Sequence, residues 1–174
     1  MTETTLSFSI GGLPPLSARG CKQSLFPCLL GDLRRTINGK LVFTGDGERR
    51  KYASTILGKD KAPPALEGLW PGQEIIVNCL SPLTQKIEGN GETTSYALER
   101  PLVAGSLQAF THDKQQLIID SISEQKVILK EAVKEKMIAY LSYRPRLTMA
   151  VVSFSQETDE WALINGWTLK LEEI

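Results

Sequence analysis

The chain has 174 residues, 41% hydrophobic and 23% charged, enough to bury a sizeable core in one domain. Lys+Arg and Asp+Glu each count 20, so the basic excess of a dedicated nucleic-acid binder is missing, and no apolar run approaches the roughly 18 residues that cross a bilayer. Three cysteines, Cys21, Cys28 and Cys79, follow a polar start at Met1-Thr-Glu-Thr-Thr; the odd count without an export signal points to reduced thiols and synthesis in the cytoplasm.

Leu6, Phe8 and Ile10 alternate with Ser7 and Ser9, which predicts an opening strand stopped by Gly11-Gly-Leu-Pro-Pro15. Asn38-Gly39 between extended flanks predicts a hairpin pairing Leu33–Ile37 with Lys40–Phe43, because both turn residues tolerate positive φ. Thr44-Gly-Asp-Gly-Glu48 reads as a loop, Lys51–Leu57 as a strand, and Lys61-Ala-Pro-Pro-Ala65 as a breaker. Leu69-Trp-Pro-Gly72 leads into a strand over Ile75–Leu80. The polar segment at about 81–94, with Gly89-Asn-Gly91 at its tip, reads as an exposed loop or long hairpin. Tyr96 to Phe110 is interrupted by Pro101 and Gly105, and Leu117-Ile-Ile119 reads as a strand.

Glu124 to Leu141 sets Ile128, Ala132, Val133, Met137 and Leu141 at helical spacing among good helix formers, with Ser123 placed as a cap. The expectation is a helix at about 124–141. A period-two reading through Val127, Leu129, Val133, Met137 and Leu141 lines Glu131 and Glu135 along the same face. Leu147 to Phe154 is a strand apolar on both faces. From Trp161, the residues Leu163, Asn165, Trp167, Leu169 and Leu171 alternate with Ala162, Ile164, Gly166, Thr168 and Lys170. The two runs predict a closing antiparallel hairpin that buries Trp161 and Trp167 and shares a sheet with the N-terminal strand. The fold class expected is mainly β, a sandwich or barrel with one flanking α-helix, as a single domain over 1–174.

No residue pattern calls for catalysis, a cofactor or a metal. Gly45/Gly47 and Gly89/Gly91 lack the phosphate-loop fingerprint and read as turns. His112 is the sole histidine and stands beside no nucleophile elbow. Cys21 and Cys28 are too far apart in sequence for the common zinc modules, and Cys79 closes an apolar run as a small buried hydrophobe. Asp159-Glu160 and Glu172-Glu173 are adjacent carboxylates that face opposite ways on a strand. Asp46, Glu48, Asp60 and Asp113 are too dispersed for a calcium loop. Arg34-Arg35 and Arg49-Arg50-Lys51, beside Tyr52, leave open a small β-barrel that binds single-stranded nucleic acid. Arg144 and Arg146 flank Pro145 and are expected at a rim, ready to pair with a neighbour's carboxylates.

Four stretches carry a resemblance: Arg19-Gly-Cys-Lys-Gln-Ser-Leu-Phe-Pro-Cys28, Arg50-Lys-Tyr-Ala-Ser-Thr-Ile56, Gly68-Leu-Trp-Pro-Gly-Gln73, and the ending Arg144-Pro-Arg-Leu-Thr-Met149 with Asp159-Glu-Trp161 and Gly166-Trp-Thr-Leu-Lys-Leu-Glu-Glu173. In these the sequence resembles the small tail and baseplate proteins of long-tailed bacteriophages. The resemblance is one of style, spread over most of the chain. It implies a tail-tube-like β-domain with a flanking helix and a long loop, assembled into rings that are commonly hexameric. The implied function is a structural virion subunit in the tail tube, tail terminator, distal tail or baseplate, built in the host cytoplasm. The implied partners are copies of itself and neighbouring tail proteins, with no specific nucleic acid and no membrane. The competing readings are a nucleic-acid-binding β-barrel and a small enzyme or ligand-binding barrel.

Overall fold

The computed structural model describes residues 4–28, 31–45, 50–123 and 125–174. Asp46, Gly47, Glu48 and Arg49 of the sequence readings lie outside these residues, as does Glu124 at the head of the expected helix. Fourteen strands run along the described residues. They are β1 (Ser7–Phe8), β2 (Lys22–Cys28), β3 (Leu33–Arg35), β4 (Leu41–Phe43), β5 (Lys51–Asp60), β6 (Glu74–Asn78) and β7 (Leu83–Glu88). There follow β8 (Ser95–Ala97), β9 (Gln108–Thr111), β10 (Ile119–Ser123), β11 (Lys126–Leu129), β12 (Ile138–Tyr143), β13 (Arg146–Asp159) and β14 (Ile164–Glu173). The span read as one domain divides into two compact units, Met1–Ile76 with Thr148–Ile174, and Val77–Leu147.

The first unit is built on a sheet of order β1-β6-β13-β14-β5-β2, so N- and C-terminal strands share it as expected. The closing hairpin forms: β13 and β14 pair antiparallel from Met149↔Glu173 to Asp159↔Ile164. Alternation buries Met149 and Val151 on β13, Trp167, Leu169 and Leu171 on β14, and Ile56 on β5. Fully burying each aliphatic side chain contributes about 1.5–3 kcal/mol. The register slips between Val151 and Ser153, a bulge that leaves Val152 exposed and changes which residues face inward beyond it. The strand predicted from Trp161 starts later, at Ile164. Asp159 Oδ1 accepts the Trp161 and Ala162 N–H groups, both at 3.0 Å, and this side-chain turn ends the pairing first. Trp161 is therefore 96% exposed, a correction to its expected burial, whereas Trp167 is buried.

β3 and β4 form a separate two-stranded hairpin, Leu33↔Phe43 to Arg35↔Leu41. The predicted Asn-Gly turn has three loop residues, Ile37, Asn38 and Gly39. Gly39 N–H donates to Thr36 O (2.8 Å), and Gly39 alone takes the positive φ, +77°. This is a type I turn followed by a left-handed glycine.

The second unit contains two three-stranded antiparallel sheets, β10-β11-β8 and β7-β12-β9. Both contribute to one core: Ile87, Ala109, Ala139, Leu141 and Tyr143 from one, Val127 and Leu129 from the other. The predicted helix at 124–141 is not there; the segment makes β11, a loop and β12. Alternation buries Val127 and Leu129, then Ala139, Leu141 and Tyr143. Glu131 and Glu135 fall in the intervening loop, exposed, which removes the objection to a period-two pattern. Backbone bonds from Gly91 N–H to Val133 O (3.0 Å) and from Gly89 N–H to Met137 O (2.8 Å) fix that loop. Helix propensity amounts to tenths of a kcal/mol per residue and yields to such packing.

Residues 81–94, read as an exposed loop or long hairpin, contain β7, whose Ile87 is buried and which pairs with β12. The next strand, β8, pairs with β11 in the other sheet, so β7 and β8 do not form a hairpin.

Candidate interaction surfaces

Beneath the β13–β14 turn, Arg19 and the chain-distant pair Asp60 and Lys61 form a polar clamp. Arg19 donates from its backbone N–H and Nε to Asp60 Oδ2, both at 3.0 Å, and from Nη2 to Oδ1 at 2.7 Å. Lys61 N–H adds a bond to Oδ1 at 2.8 Å. The fork of Arg19 matches both oxygens of the carboxylate. Beside the clamp, Trp167 lies across Gly58, its register partner on β5, and Trp167 Nε1 donates to Ser17 O at 3.0 Å.

The hydrogen bonds from Arg19 hold the Asp60 carboxyl well below its ordinary value of 3.8. A carboxyl whose pKa is depressed on folding stabilises the protein above its unfolded pKa and loses that contribution as pH falls towards the folded one. The melting temperature is expected to be level near neutral pH and to fall below about pH 5, where carboxyls begin to protonate in the unfolded chain. Asp60→Asn should lower the neutral-pH value and flatten the acid limb. An acid limb identical to wild type in a pH series of thermal melts would remove Asp60 from this role.

At the tip of the same hairpin, Trp161 stands 96% and Leu163 74% exposed. Leu163 takes φ +51°, a left-handed conformation that costs a bulky residue roughly 1–2 kcal/mol. An outward leucine held in a strained backbone is a candidate contact residue. Beyond Val151, whose N–H and C=O are bonded by Gln73 and Gly72 of the β6 approach, the ladder partner of β13 is β14. Among the described residues Ser153 to Asp159 thus make an outer edge bearing Glu157 and Asp159, and Glu160 follows in the turn.

The β3–β4 hairpin is a second apolar projection. Leu33, Ile37, Leu41 and Val42 are all exposed, and Ile37 at its turn is fully so. Arg34, Arg35 and Lys40 accompany them; Arg34 pairs with Asp32 at 3.1 Å and Arg35 Nη1 donates to Gly39 O. A two-stranded hairpin with mostly exposed side chains is marginal in water, which makes this arm a candidate contact element.

The other sequence candidates are scattered. His112 is an exposed loop residue whose N–H bonds Ile138 O. The cysteines are unbridged; Cys79 is buried, and burial pushes the half-exposed Cys21 thiol up. Asp159 caps the turn, and Glu173 accepts the Tyr52 N–H at 2.8 Å. Arg144 donates from Nε to Cys79 O at 2.7 Å within its own unit, while Arg146 is exposed. Gly91 takes φ +77° in a turn. Among the described residues, no three His, Cys, Asp or Glu side chains gather closely enough to hold a metal ion. Sequence reading missed Ser17 and Gly58 and gave Arg19 and Asp60 no part in a clamp; of the four only Gly58 carried a local signal for this site, since glycine inside a strand marks a close approach. No protein-family model matches the chain, and neither a curated protein nor a solved structure is significantly similar to it.

Proposed function

We propose that the chain is a structural subunit of a long-tailed bacteriophage tail, in a tube, distal-tail or baseplate ring, and that it works through protein–protein contacts alone, as a tail-tube-like β-domain without catalysis. The observation that carries this reading is the pair of hairpins whose apolar residues the chain itself leaves uncovered: Ile37 with Leu41 on one, Trp161 with Leu163 on the other. Exposed large side chains of this kind mark surfaces meant for a partner. The resemblance of four sequence stretches to tail and baseplate proteins supplies the setting. A nucleic-acid-binding β-barrel remains the other reading, drawn from the exposed Arg34 and Arg35; zero net charge gives it little counterion release.

The test is localisation. Labelled antibody should decorate the tail or its end in intact particles, and peptides of the chain should be found in purified virions. Excising residues 32–44 and joining Gly31 to Gly45 should leave a folded protein that fails to incorporate. The join is short, because a Cβ on Gly31 would run into Gly45. A protein absent from purified particles would sink the reading.

A further inference from the structure

We infer that the basic β3–β4 arm of one copy seats on the acidic outer edge and tip of the β13–β14 hairpin of a second copy, giving a head-to-tail self-contact. The inference rests on the reading of the chain as a self-assembling subunit, but not on where that assembly is found. The partner is a second copy because the chain carries both halves of the contact and keeps them apart.

Register places the two halves. The arm lies between β2 and β5 in the chain, at the end of their ladder where Cys28 faces Lys51. The Trp161 tip lies at the other end of β5, where Asp60 faces Asn165. Ten extended residues separate these ends by about 30 Å. The exposure of Ile37 and Trp161 shows that the two elements do not cover each other within the chain.

Charge is complementary as well. The arm, residues 31–45, carries Arg34, Arg35 and Lys40 against the single carboxylate of Asp32. The β13 edge and its turn, residues 153–163, carry Glu157, Asp159 and Glu160 and no cation. Lys59 lies level with Glu157 across Gly166, and Lys61 borders Leu163 with Arg19 and Asp60, but these cations sit on the β5 side, and the charged residues of the outer β13 edge itself are Glu157 and Asp159. An incoming arm on that edge therefore meets carboxylates, with Trp161 and Leu163 available to its Ile37 and Leu41. Large aromatic anchors are the usual centre of a specific contact, and opposite charge sets its register and speeds encounter. Two different patches joined head to tail form a heterologous interface, which closes into a ring or continues as a fibre.

Sedimentation velocity on the full chain tests this, from micromolar to millimolar concentration and at low and high salt. Wild type should associate, less strongly as salt rises. Arg34→Glu with Arg35→Glu, and separately Glu157→Lys with Glu160→Lys, should each weaken association by about tenfold or more while keeping the wild-type melt. Asp159 is left intact because it closes the turn. An equimolar mixture of the two variants should recover association, since each arm then meets a tip of opposite sign. A wild type monomeric throughout, variants that associate like wild type, or a mixture no better than its components each overturns the contact. A tail ring joined through other surfaces overturns it too, yet leaves the tail reading in place. Recovery in the mixture with no protein in virions does the reverse.

Discussion

Trp167→Ala should destabilise the unit made by Met1–Ile76 and Thr148–Ile174 by about 3–5 kcal/mol, the range for emptying an aromatic site in a core. Two effects add. The indole is buried, so its removal opens a cavity between β14 and β5. Ser17 is also buried, and its carbonyl oxygen loses the N–H of Trp167; an orphaned buried acceptor costs about 1–3 kcal/mol. Trp167→Phe keeps most of the apolar surface and should show mainly the second effect. From the other side, Gly58→Val drives a side chain into the indole, which the glycine admits only because it has no Cβ; overpacking of this kind costs about 1–3 kcal/mol or more. Trp161→Ala, by contrast, should stay within about 0.5 kcal/mol, as surface substitutions do. Urea unfolding of the four variants checks the set. Equal losses at Trp161 and Trp167 would mean that the two rings have been assigned to the wrong environments.

The contrast between those tryptophans shows how far sequence alternation reaches. Period two gave the correct phase for Trp167, Leu169 and Leu171, because strand pleating fixes it along any paired stretch. It said nothing about where pairing stops. That is set by a side-chain turn from Asp159, two residues before Trp161, and by a bulge at Val152 that no apolar count reveals. The arm was legible from Asn38-Gly39, since left-handed backbone has a chemical signature, though the number of loop residues was not. The Arg19–Asp60 clamp was invisible, as its partners are 41 positions apart and each is ordinary in its local context. The two hairpins that carry the proposed contact were each legible as hairpins. Their opposite placement along β5 needed the register.

The second large effect lies in Val77–Leu147, where helix and strand readings of 124–141 make opposite predictions. A helix would align Ile128, Ala132, Val133, Met137 and Leu141 and turn Val127 away from them. The strands bury Val127 and Leu129 and leave Ile128 half-exposed, paired across to Ser95 and Ser121. Leu141→Ala should cost about 2–5 kcal/mol in either case, because the side chain is fully buried at the centre of β12 and its neighbours can close only part of the gap. The neighbouring pair decides. Val127→Ala should cost more than Ile128→Ala, although isoleucine loses the larger side chain, because only Val127 belongs to the core shared by the two sheets. Far-ultraviolet circular dichroism should show a β spectrum without a helical component. Amides of β11 and β12, central strands bonded on both sides, should exchange slowly along their length, and the exposed loop carrying Glu131 and Glu135 should exchange quickly. A larger loss at Ile128 than at Val127 would restore the helix and undo the two-sheet core.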